Sequence, residues 1–514
     1  MKYPIGIQNF EKIREEGFLY VDKTAWIYRL ANEGSYYFLS RPRRFGKSLL
    51  ISTLESYFSG QKHLFEGLAI SLLEKDWKAH SILHLDLNTE KYDSAAALEN
   101  KLNLALSEWE GLYGSNPNER SLSTRFEGVI RRAAEHTGKQ TVILVDEYDK
   151  PMLQAIGNNA LQEEYRSTLK AFYGALKSCD KYIRFAFLTG VTKFGKVSVF
   201  SDLNNLIDLS FDEDYATMCG ITEEELHEYF DNSIKLLADK NKMGVTQTYE
   251  RLKQYYDGYH FAYDTPGIYN PFSILNTLKK GRYGNYWFET GIPSFLVHQL
   301  QKTGYRLDEM TEENLSSDTL NSIDIMDENP LPLLYQSGYL TIKNYDERFK
   351  TYTLGFPNRE VREGFIKYLV PFYTPKRENN TMFSMDKFVQ EVEMGKAEDF
   401  MRRLDAFFAI GDYALMGDKE LYFHNAVYVF FTLLGFYVDV ERHTTNGRMD
   451  ILMQTSDYVY IMELKIDKSA DVALRQIEEK GYAKPFANDP RKLYKIGINF
   501  STKKRCVDDW KIEK

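Results

Sequence analysis

The chain has 514 residues, which is too many for a single hydrophobic core and predicts about two to four domains. Its net charge of -9 and pI near 5.7 exclude a uniformly basic nucleic-acid-binding protein, so such a surface would have to be local. Three widely spaced cysteines argue against a disulfide framework, and no segment has the pattern of a signal peptide or a bilayer-spanning helix, so we expect a cytoplasmic protein without membrane contact.

The first strong pattern is a strand, a short loop and a helix near the N-terminus. The apolar run 36–39 is followed by the segment 41–48, Arg-Pro-Arg-Arg-Phe-Gly-Lys-Ser, and then by a helical pattern. This is the layout of a P-loop, in which backbone N–H groups and the positive helix end hold phosphates, a lysine contacts the outer phosphates and a serine holds Mg²⁺. Lys47 and Ser48 take those two positions, so the pattern predicts a nucleotide ligand.

The loop departs from the full P-loop motif at one position. Arg41 stands where the motif has its first glycine, so the tight turn must be made differently. Arg43 and Arg44 make the loop more cationic, and they could either bind phosphates or lie on solvated surface. Together with Phe45 and Gly46 they belong to the predicted nucleotide-binding loop.

Two further strands are predicted to bring polar residues to the same sheet edge. The run 141–145 has the composition of a strand buried on both faces of a parallel sheet, and it ends in Asp146 and Glu147. Since ligands lie beyond the carboxyl ends of such strands, we expect Asp146 to hold Mg²⁺ and Glu147 to polarise the attacking water. The alternative is a strand that merely exits into solvent. The strand 184–188 ends at Thr189, which could sense the γ-phosphate or form an ordinary turn.

The alternation of strand-like and helix-like patterns is confined to the first part of the chain. We predict an α/β ATPase domain with a parallel sheet at 1–220, a mainly helical, winged-helix-like middle region at 221–380, and a third domain at 381–514 that begins with a helical linker. Thr222 is predicted as the N-cap of the first middle-region helix, with Glu225 at the capping-box position.

Two strand-like runs near the C-terminus, 448–455 and 458–465, are separated by two residues, the length of a tight hairpin turn. In that register Asp450 lies opposite Glu463, with Cβ atoms about 5 Å apart, and Lys465 faces the same side. Two carboxylates beside an ammonium suit Mg²⁺, which could activate water and polarise a phosphodiester. The lysine could position the water or offset the charge of the transition state. The alternative is a surface hairpin with a cross-strand salt bridge.

The elements around this hairpin are predicted in the order α-β-β-β-α-β, at 420–434, 436–441, 448–455, 458–465, 471–482 and 493–500. With Asp450, Glu463, Lys465 and Gln476, this order resembles the restriction-endonuclease-like core of the PD-(D/E)xK nuclease superfamily. The resemblance implies that Asp450 and Glu463 hold metal, that Lys465 is catalytic and that Gln476 supports the site. Met449 stands where the superfamily usually has proline.

Further motifs resemble those of the bacterial AAA-ATPase-like proteins, which couple such an ATPase domain to a C-terminal PD-(D/E)xK nuclease-like domain. The matching segments span nearly the whole chain: 4–10, 20–24, 41–48, 145–149, 269–272 and 336–340. Arg41 is itself the form that this family has. The resemblance implies ATP and Mg²⁺ as cofactors, ATP hydrolysis, and nucleic acid, with DNA favoured, as a partner. Because AAA-type ATPases often act as rings, it also allows an oligomer.

Two functions of different classes follow. The first is an ATP-binding and ATP-hydrolysing protein whose Mg²⁺-dependent nuclease-like domain acts on nucleic acid. The second is a regulatory ATPase switch whose nuclease-like domain only binds nucleic acid or a protein partner. The trio Asp450, Glu463 and Lys465 favours the first, and the acidic net charge favours the second; a P-loop that binds nucleotide for stability alone is a third reading. A basic cluster that could contact phosphates or form a solvated face lies near the end of the chain: Arg491, Lys492, Lys495, Lys503, Lys504 and Arg505.

Overall fold

The structure is a computed structural model. It describes residues 1–194, 205–289, 296, 299–300, 303, 305–311, 313–321, 323, 329–373, 385–408, 419–435, 438–445, 448–501, 503–504 and 506–514, and the side chains of all of these except 321, 373, 408, 419–424, 441–445 and 448–450. The chain divides into two compact units. One contains Met1–Gln299 and Met310–Arg362, and the other contains Leu300–Glu309 and Glu363–Lys514. The predicted limits at residues 220 and 380 stay predictions.

The first unit is built on a parallel sheet, as the sequence predicted. Its five strands lie in the order β2-β3-β4-β1-β5: β1 (Tyr36–Ser40), β2 (Ile82–Asp86), β3 (Thr141–Asp146), β4 (Ile183–Gly190) and β5 (Ile207–Asp208). All six residues of β3 are buried, which explains its uninterrupted apolar, β-branched composition. Because β4 lies between β1 and β3, the residue that follows β1 and the last residues of β3 and β4 meet at one sheet edge.

Helices cover this sheet: α1 (Phe10–Glu15), α2 (Thr24–Glu33), α3 (Lys47–Phe58), α4 (Ile70–Leu73), α5 (Ala95–Tyr113), α6 (Leu122–Thr137), α7 (Lys150–Gln154) and α8 (Asn159–Ser178). Their ends follow local chemistry. The Ser121 side chain accepts the backbone N–H of Thr124 at the start of α6, and Gly138 ends that helix with φ of 67°. By contrast, α3 begins directly after Gly46 without a side-chain cap, so its N-terminal N–H groups point toward the loop that precedes it.

The middle region of this unit is mainly helical: α9 (Glu223–Asn241), α10 (Val245–Tyr256), α11 (Pro271–Lys280), α12 (Tyr286–Glu289), α13 (Ser317–Asn321) and α14 (Leu331–Gln336). It also contains a small antiparallel sheet in the order β6-β8-β7, formed by β6 (Asn314–Ser316), β7 (Thr341–Asp346) and β8 (Thr351–Gly355). Every residue of α14 is buried. In chain order this module runs β6, α13, α14, β7 and β8, and its second helix, α14, faces inward.

The helix α15 (Arg359–Tyr373) begins in the first unit and belongs to the second unit from Glu363 onward. The second unit also contains α16 (Met385–Glu393), α17 (Ala397–Phe408), α18 (Lys419–Leu434) and α19 (Ala470–Lys480). Its mixed sheet has the order β13-β12-β11-β10-β9, with β9 (Asp439–Thr445), β10 (Arg448–Gln454), β11 (Tyr458–Ile466), β12 (Lys492–Ser501) and β13 (Cys506–Glu513). Among the four strand pairs described in this sheet, β11 and β12 run parallel and the other three pairs are antiparallel.

The predicted α-β-β-β-α-β order is confirmed from α18 to β12, and β13 extends it by one antiparallel edge strand. The first strand of the set was predicted at 436–441, whereas β9 runs from Asp439 to Thr445, because its pairing with β10 continues to Thr445. Residues 436–437 lie outside the described residues. Across the part of the chain that is described, no helix combines the length and the apolar character needed to cross a bilayer.

The capping box at the start of α9 generates a stability prediction. The Glu225 backbone N–H donates to Thr222 Oγ1 at 3.2 Å, and the Thr222 N–H donates to Glu225 Oε2 at 2.9 Å. We expect Thr222→Ala to lower the free energy of unfolding by about 1 kcal/mol, because one helix-end donor loses its acceptor. Urea unfolding of the full chain measures this. Thr246→Ala, at an exposed position of α10, is the control and should cost nothing; equal midpoints for the two variants would contradict the prediction.

Candidate functional site

The loop between β1 and α3 is shaped by two residues with left-handed backbones. Arg44 has φ of 67° and Gly46 has φ of 97°. Glycine adopts this conformation readily, whereas an arginine pays a steric cost. The chain therefore turns at Arg44 and Gly46, and not at Arg41, where the full P-loop motif has its first glycine. Gly46 then leads directly into Lys47, the first residue of α3.

Arg41 points into the protein and not toward the loop surface. Its Nη1 donates to the carbonyl oxygens of Ser40 and Ser210, each at 2.9 Å, and its Nη2 donates to the carbonyl oxygen of Tyr215 at 3.3 Å. The guanidinium also lies 4.2 Å from the ring centroid of Phe261. Arg41 has 1% of its surface exposed, and this burial lowers the pKa of its guanidinium from the usual value. The arginine thus anchors the loop by hydrogen bonds and a cation–π contact.

Aromatic residues of the middle region surround the rest of the loop. The indole N–H of Trp287 donates to the Arg43 carbonyl oxygen at 2.9 Å, and the exposed Arg44 guanidinium lies 4.8 Å from the ring centroid of Phe272. Phe45 is buried and packs edge-on against two further rings, those of Tyr259 and Phe261. The loop conformation therefore depends on residues more than 200 positions away as well as on its own sequence.

A buried carboxylate holds Trp287 in place. Glu360 Oε1 accepts the backbone N–H of Trp287, and Oε2 accepts the Ser273 hydroxyl, both at 2.7 Å. Burial raises the pKa of Glu360 to about 8. No sequence pattern pointed to this residue, because it lies far from the loop that it supports and acts through the tryptophan.

Lys47 lies where the loop and the acids of β3 meet. Its Nζ donates to the carbonyl oxygens of Arg41 at 3.0 Å and Pro42 at 3.4 Å, and it lies 3.4 Å from Glu147 Oε1. Lys47 is 4% exposed, so this cation sits in a poorly solvated position where a phosphate charge would interact strongly with it. Ser48 follows on the first turn of α3 and is half-buried.

The end of β3 places two acids beside this lysine. Asp146 is buried, and its Oδ1 accepts the Thr189 hydroxyl at 2.5 Å. Glu147 has a left-handed backbone, with φ of 54°, which turns the chain sharply after the strand. The structure therefore brings Lys47, Asp146, Glu147 and Thr189 to one edge of the sheet, where the sequence placed them.

A third acid after β3 was not among the predicted site residues. Asp149 is fully buried, and its Oδ2 accepts the backbone N–H groups of Val191 at 3.0 Å and Thr192 at 2.6 Å, together with the Thr192 hydroxyl at 2.7 Å. Burial, followed by the negative charge of Glu147, raises the pKa of Asp149 to about 7. The signal in the sequence was a third acid three residues after Asp146.

A mainly apolar cavity of about 110 Å³ adjoins the start of α3. Gly46 and Leu49 form its loop side, and the N-terminal segment at Leu19–Val21 and the middle-region residues Ile221 and Phe230 form the rest. Its size and apolar walls suit a flat aromatic ring system, and its position beside the loop is where such a ring would lie if its phosphates lay on the N-terminus of α3.

In the second unit, the predicted hairpin register is present. Asp450 on β10 is the cross-strand partner of Glu463 on β11, and the Thr455 N–H donates to the Tyr458 carbonyl oxygen across the two-residue turn. The Lys465 ammonium donates to Glu463 Oε1, and both side chains are buried, at 4% and 0% exposure. The lysine and the glutamate thus form a buried ion pair on the strand that faces Asp450.

The carboxylate oxygens that this hairpin supplies fit a hard divalent cation. Among the described residues no group of three or more His, Cys, Asp or Glu side chains converges as a complete metal cage. Mg²⁺ needs no such cage, because it keeps several waters and uses one or two carboxylates. Glu463 and, by register, Asp450 are the residues that would hold it. Gln476 lies half-buried on α19, and in the described part of the chain its Nε2 is buried without a hydrogen-bond partner.

Comparisons with known proteins agree with the two domain types. Residues 4–200 match the family model described as a predicted AAA-ATPase, and residues 418–510 match that of the PD-(D/E)XK nuclease superfamily. A protein of Azotobacter chroococcum mcd 1, described as an uncharacterized protein in the vnfD 5'region, is 34% identical over 526 aligned residues that cover 100% of this chain and 99% of the relative. The chain therefore belongs to the AAA-ATPase-like protein family and carries a PD-(D/E)XK nuclease-superfamily domain at its C-terminal end.

Proposed function

We propose that the first unit binds and hydrolyses ATP with Mg²⁺. The observation that carries this proposal is the convergence of Lys47, Asp146, Glu147 and Thr189 at the N-terminus of α3, beside an apolar cavity. The adenine would occupy the cavity and the phosphates the loop. The Ser48 hydroxyl and the Asp146 carboxylate are the oxygen donors that would hold Mg²⁺, and Glu147 is the base that would orient the attacking water.

We further propose that the C-terminal domain cleaves nucleic acid, with DNA favoured, and that nucleotide binding controls this activity. The cross-strand pair Asp450 and Glu463 supports a metal site, and Lys465 on the same strand face supports a role in positioning water or offsetting negative charge. A metal bound there would polarise the phosphodiester. The proposal also includes three domains, at residues 1–220, 221–380 and 381–514, and an oligomeric assembly.

The alternative, a regulatory switch whose nuclease-like domain only binds nucleic acid or a protein, has one observation in its favour. Several members of the C-terminal basic cluster are engaged by acids and are not free for phosphates. Arg491 pairs with Asp489 at 2.6 Å, and Lys495 and Lys504 pair with Glu478 and Asp508 respectively. Arg505 lies outside the described residues. The Glu463–Lys465 pair is also buried, so substrate must reach it through a change in its surroundings.

Arg41 is part of the proposed nucleotide site through the shape of the loop. Its three carbonyl partners lie at Ser40, at the end of β1, and at Ser210 and Tyr215, so the side chain adds to the pairing of β1 with β5 in joining these two parts of the chain. A glycine at this position would match the general P-loop motif. It would also leave those buried carbonyl oxygens without their donors.

Nucleotide binding is tested first. We expect Lys47→Ala to weaken ADP and ATP binding by about tenfold or more, because a charge-assisted contact to phosphate is lost. Equilibrium binding of a fluorescent nucleotide measures this, and Lys177→Ala, exposed at the end of α8, is the matched control. Glu147→Gln should bind normally and lose turnover. Equal affinities for the two lysine variants would contradict the phosphate-loop assignment; strong thermal stabilisation by ATP without turnover in the wild type would favour binding for stability alone.

The loop anchor gives a second prediction. We expect Arg41→Gly to destabilise the first unit by about 1–3 kcal/mol and to weaken nucleotide binding, because buried carbonyl groups lose their donors and a void remains. Arg44→Gly makes the same chemical change in the same loop, but at an exposed residue with positive φ, where glycine relieves strain. Thermal unfolding of both variants decides the matter, and an equal melting temperature would contradict the anchoring role of Arg41.

Nuclease activity is tested with plasmid and single-stranded DNA in Mg²⁺ or Mn²⁺, with and without ATP. We expect metal-dependent cleavage that falls at least about a hundredfold in Glu463→Gln, since a metal-ligating carboxylate is removed while volume is kept. Glu479→Gln, exposed on α19, is the control. ATP should alter cleavage in the wild type and not in Lys47→Ala. Retained DNA binding or ATP hydrolysis without cleavage under any condition would support the switch instead.

A further inference from the structure

The segment that follows β4 is held by the residues that follow Asp146. Asp149 receives three hydrogen bonds from Val191 and Thr192 through a single carboxylate oxygen. The carboxylate is fully buried, and these donors and the nearby lysine of the phosphate loop favour its charged form. An acid in this position is expensive to bury unless its hydrogen bonds are made, so the turn at 191–192 and Asp149 fix each other.

Tyr148 adds a second tie to the same segment. Its hydroxyl donates to the Thr192 carbonyl oxygen at 3.0 Å and accepts the Phe194 N–H at 3.3 Å, and its own N–H donates to the Thr189 carbonyl oxygen at 2.9 Å. Gly190 lies beneath both side chains: a Cβ at that position would come within 2.6 Å of Asp149 Oδ1. The two elements are therefore packed as closely as a glycine allows.

Thr189 lies in β4 just before this segment, and its hydroxyl donates to Asp146 Oδ1 at 2.5 Å. Thr189 is two residues from Val191 and three from Thr192, and both of these are fixed by Asp149. The direction of the Thr189 hydroxyl therefore depends on where Asp149 holds the turn. The hydroxyl in turn selects which oxygen of Asp146 is left for another ligand.

The same segment continues to the middle region. The Lys193 N–H donates to Gln336 Oε1 on α14 at 2.7 Å, and the Lys193 carbonyl oxygen accepts the Ile323 N–H at 2.9 Å. Gln336 Nε2 donates to the Leu320 carbonyl oxygen at 2.7 Å. Residues 189–194 thus lie between the acids of β3 and the inward-facing helix of the small sheet module.

We propose that Asp149 is a positioning residue of the nucleotide site: by holding the turn at 191–192 it aims the Thr189 hydroxyl at Asp146 and so orients the carboxylate toward Mg²⁺. This role rests on the proposed function of Asp146 as a ligand of the nucleotide-bound metal. Asp149 itself touches neither phosphate nor metal. Its effect on binding is therefore confined to the increase in nucleotide affinity that Mg²⁺ produces.

The test compares ADP affinity with Mg²⁺ and with EDTA, by competition against a fluorescent nucleotide, in the full chain. In Asp149→Asn, we expect the gain in affinity from Mg²⁺ to fall about tenfold, because a charge-assisted carboxylate clamp is replaced by a neutral one. Affinity in EDTA should stay near that of the wild type. Thr189→Val should lose the same gain, and the double variant should lose no more than either single variant, since both act on one contact.

A matched control separates positioning from general stability. Asp22 also receives the backbone N–H and hydroxyl of one threonine, Thr24, at 2.8 and 2.6 Å, but makes none of the contacts to residues 189–194 described above. Asp22→Asn should lower the melting temperature and keep the gain from Mg²⁺. If Asp149→Asn does not fold, Thr192→Val removes one of the three donors to Asp149 and carries the same prediction with a smaller loss.

If wild-type affinity rises with Mg²⁺ and Asp149→Asn keeps the full rise while melting lower, Asp149 is only structural and the inference is overturned. If the double variant loses the sum of the losses in the two single variants, Asp149 does not act through Thr189, and the inference is overturned. A wild-type chain that binds no ADP with Mg²⁺ or with EDTA would contradict the proposed function and therefore also the inference about Asp149.

Discussion

The burial of a guanidinium inside the phosphate loop is the constraint on which the rest of the first unit depends. Arg41 cannot be solvated where it lies, so the protein must supply acceptors and an aromatic face around it. Ser210, Tyr215 and Phe261 do so, and each belongs to a segment far from the loop in sequence. A glycine-rich loop takes its shape largely from its own backbone freedom, whereas this loop takes its shape from the tertiary structure around it.

That dependence joins the nucleotide site to the middle region of the same unit. Trp287 holds a loop carbonyl, Glu360 holds Trp287, and Gln336 holds the segment that follows β4. Every residue of the helix that carries Gln336 is buried, so this helix serves packing within the unit and does not offer a side-chain surface to a ligand. The middle region contacts the phosphate loop directly, and it is connected to the acids of β3 through the segment that follows β4.

The sequence was informative wherever a feature depends on neighbours along the chain. The strand ends that carry Asp146 and Thr189, the capping box at Thr222, and the register that pairs Asp450 with Glu463 each follow from patterns a few residues long. The partners of Arg41, the contact of Trp287 with a carbonyl 244 positions away and the ties of Asp149 could not be predicted. These contacts form when separate elements pack against each other, and neither periodicity nor a motif in the sequence indicates which buried polar groups will be in contact.

The indole of Trp287 gives the protein a built-in optical probe. Its N–H contacts the Arg43 carbonyl oxygen while its ring lies among Tyr259, Phe288 and Tyr339, so its emission is sensitive to the conformation of the phosphate loop. The chain has 5 tryptophans in all, which is few enough to replace the other members with phenylalanine. Rapid-mixing fluorescence on such a chain would follow the loop in real time without an attached dye.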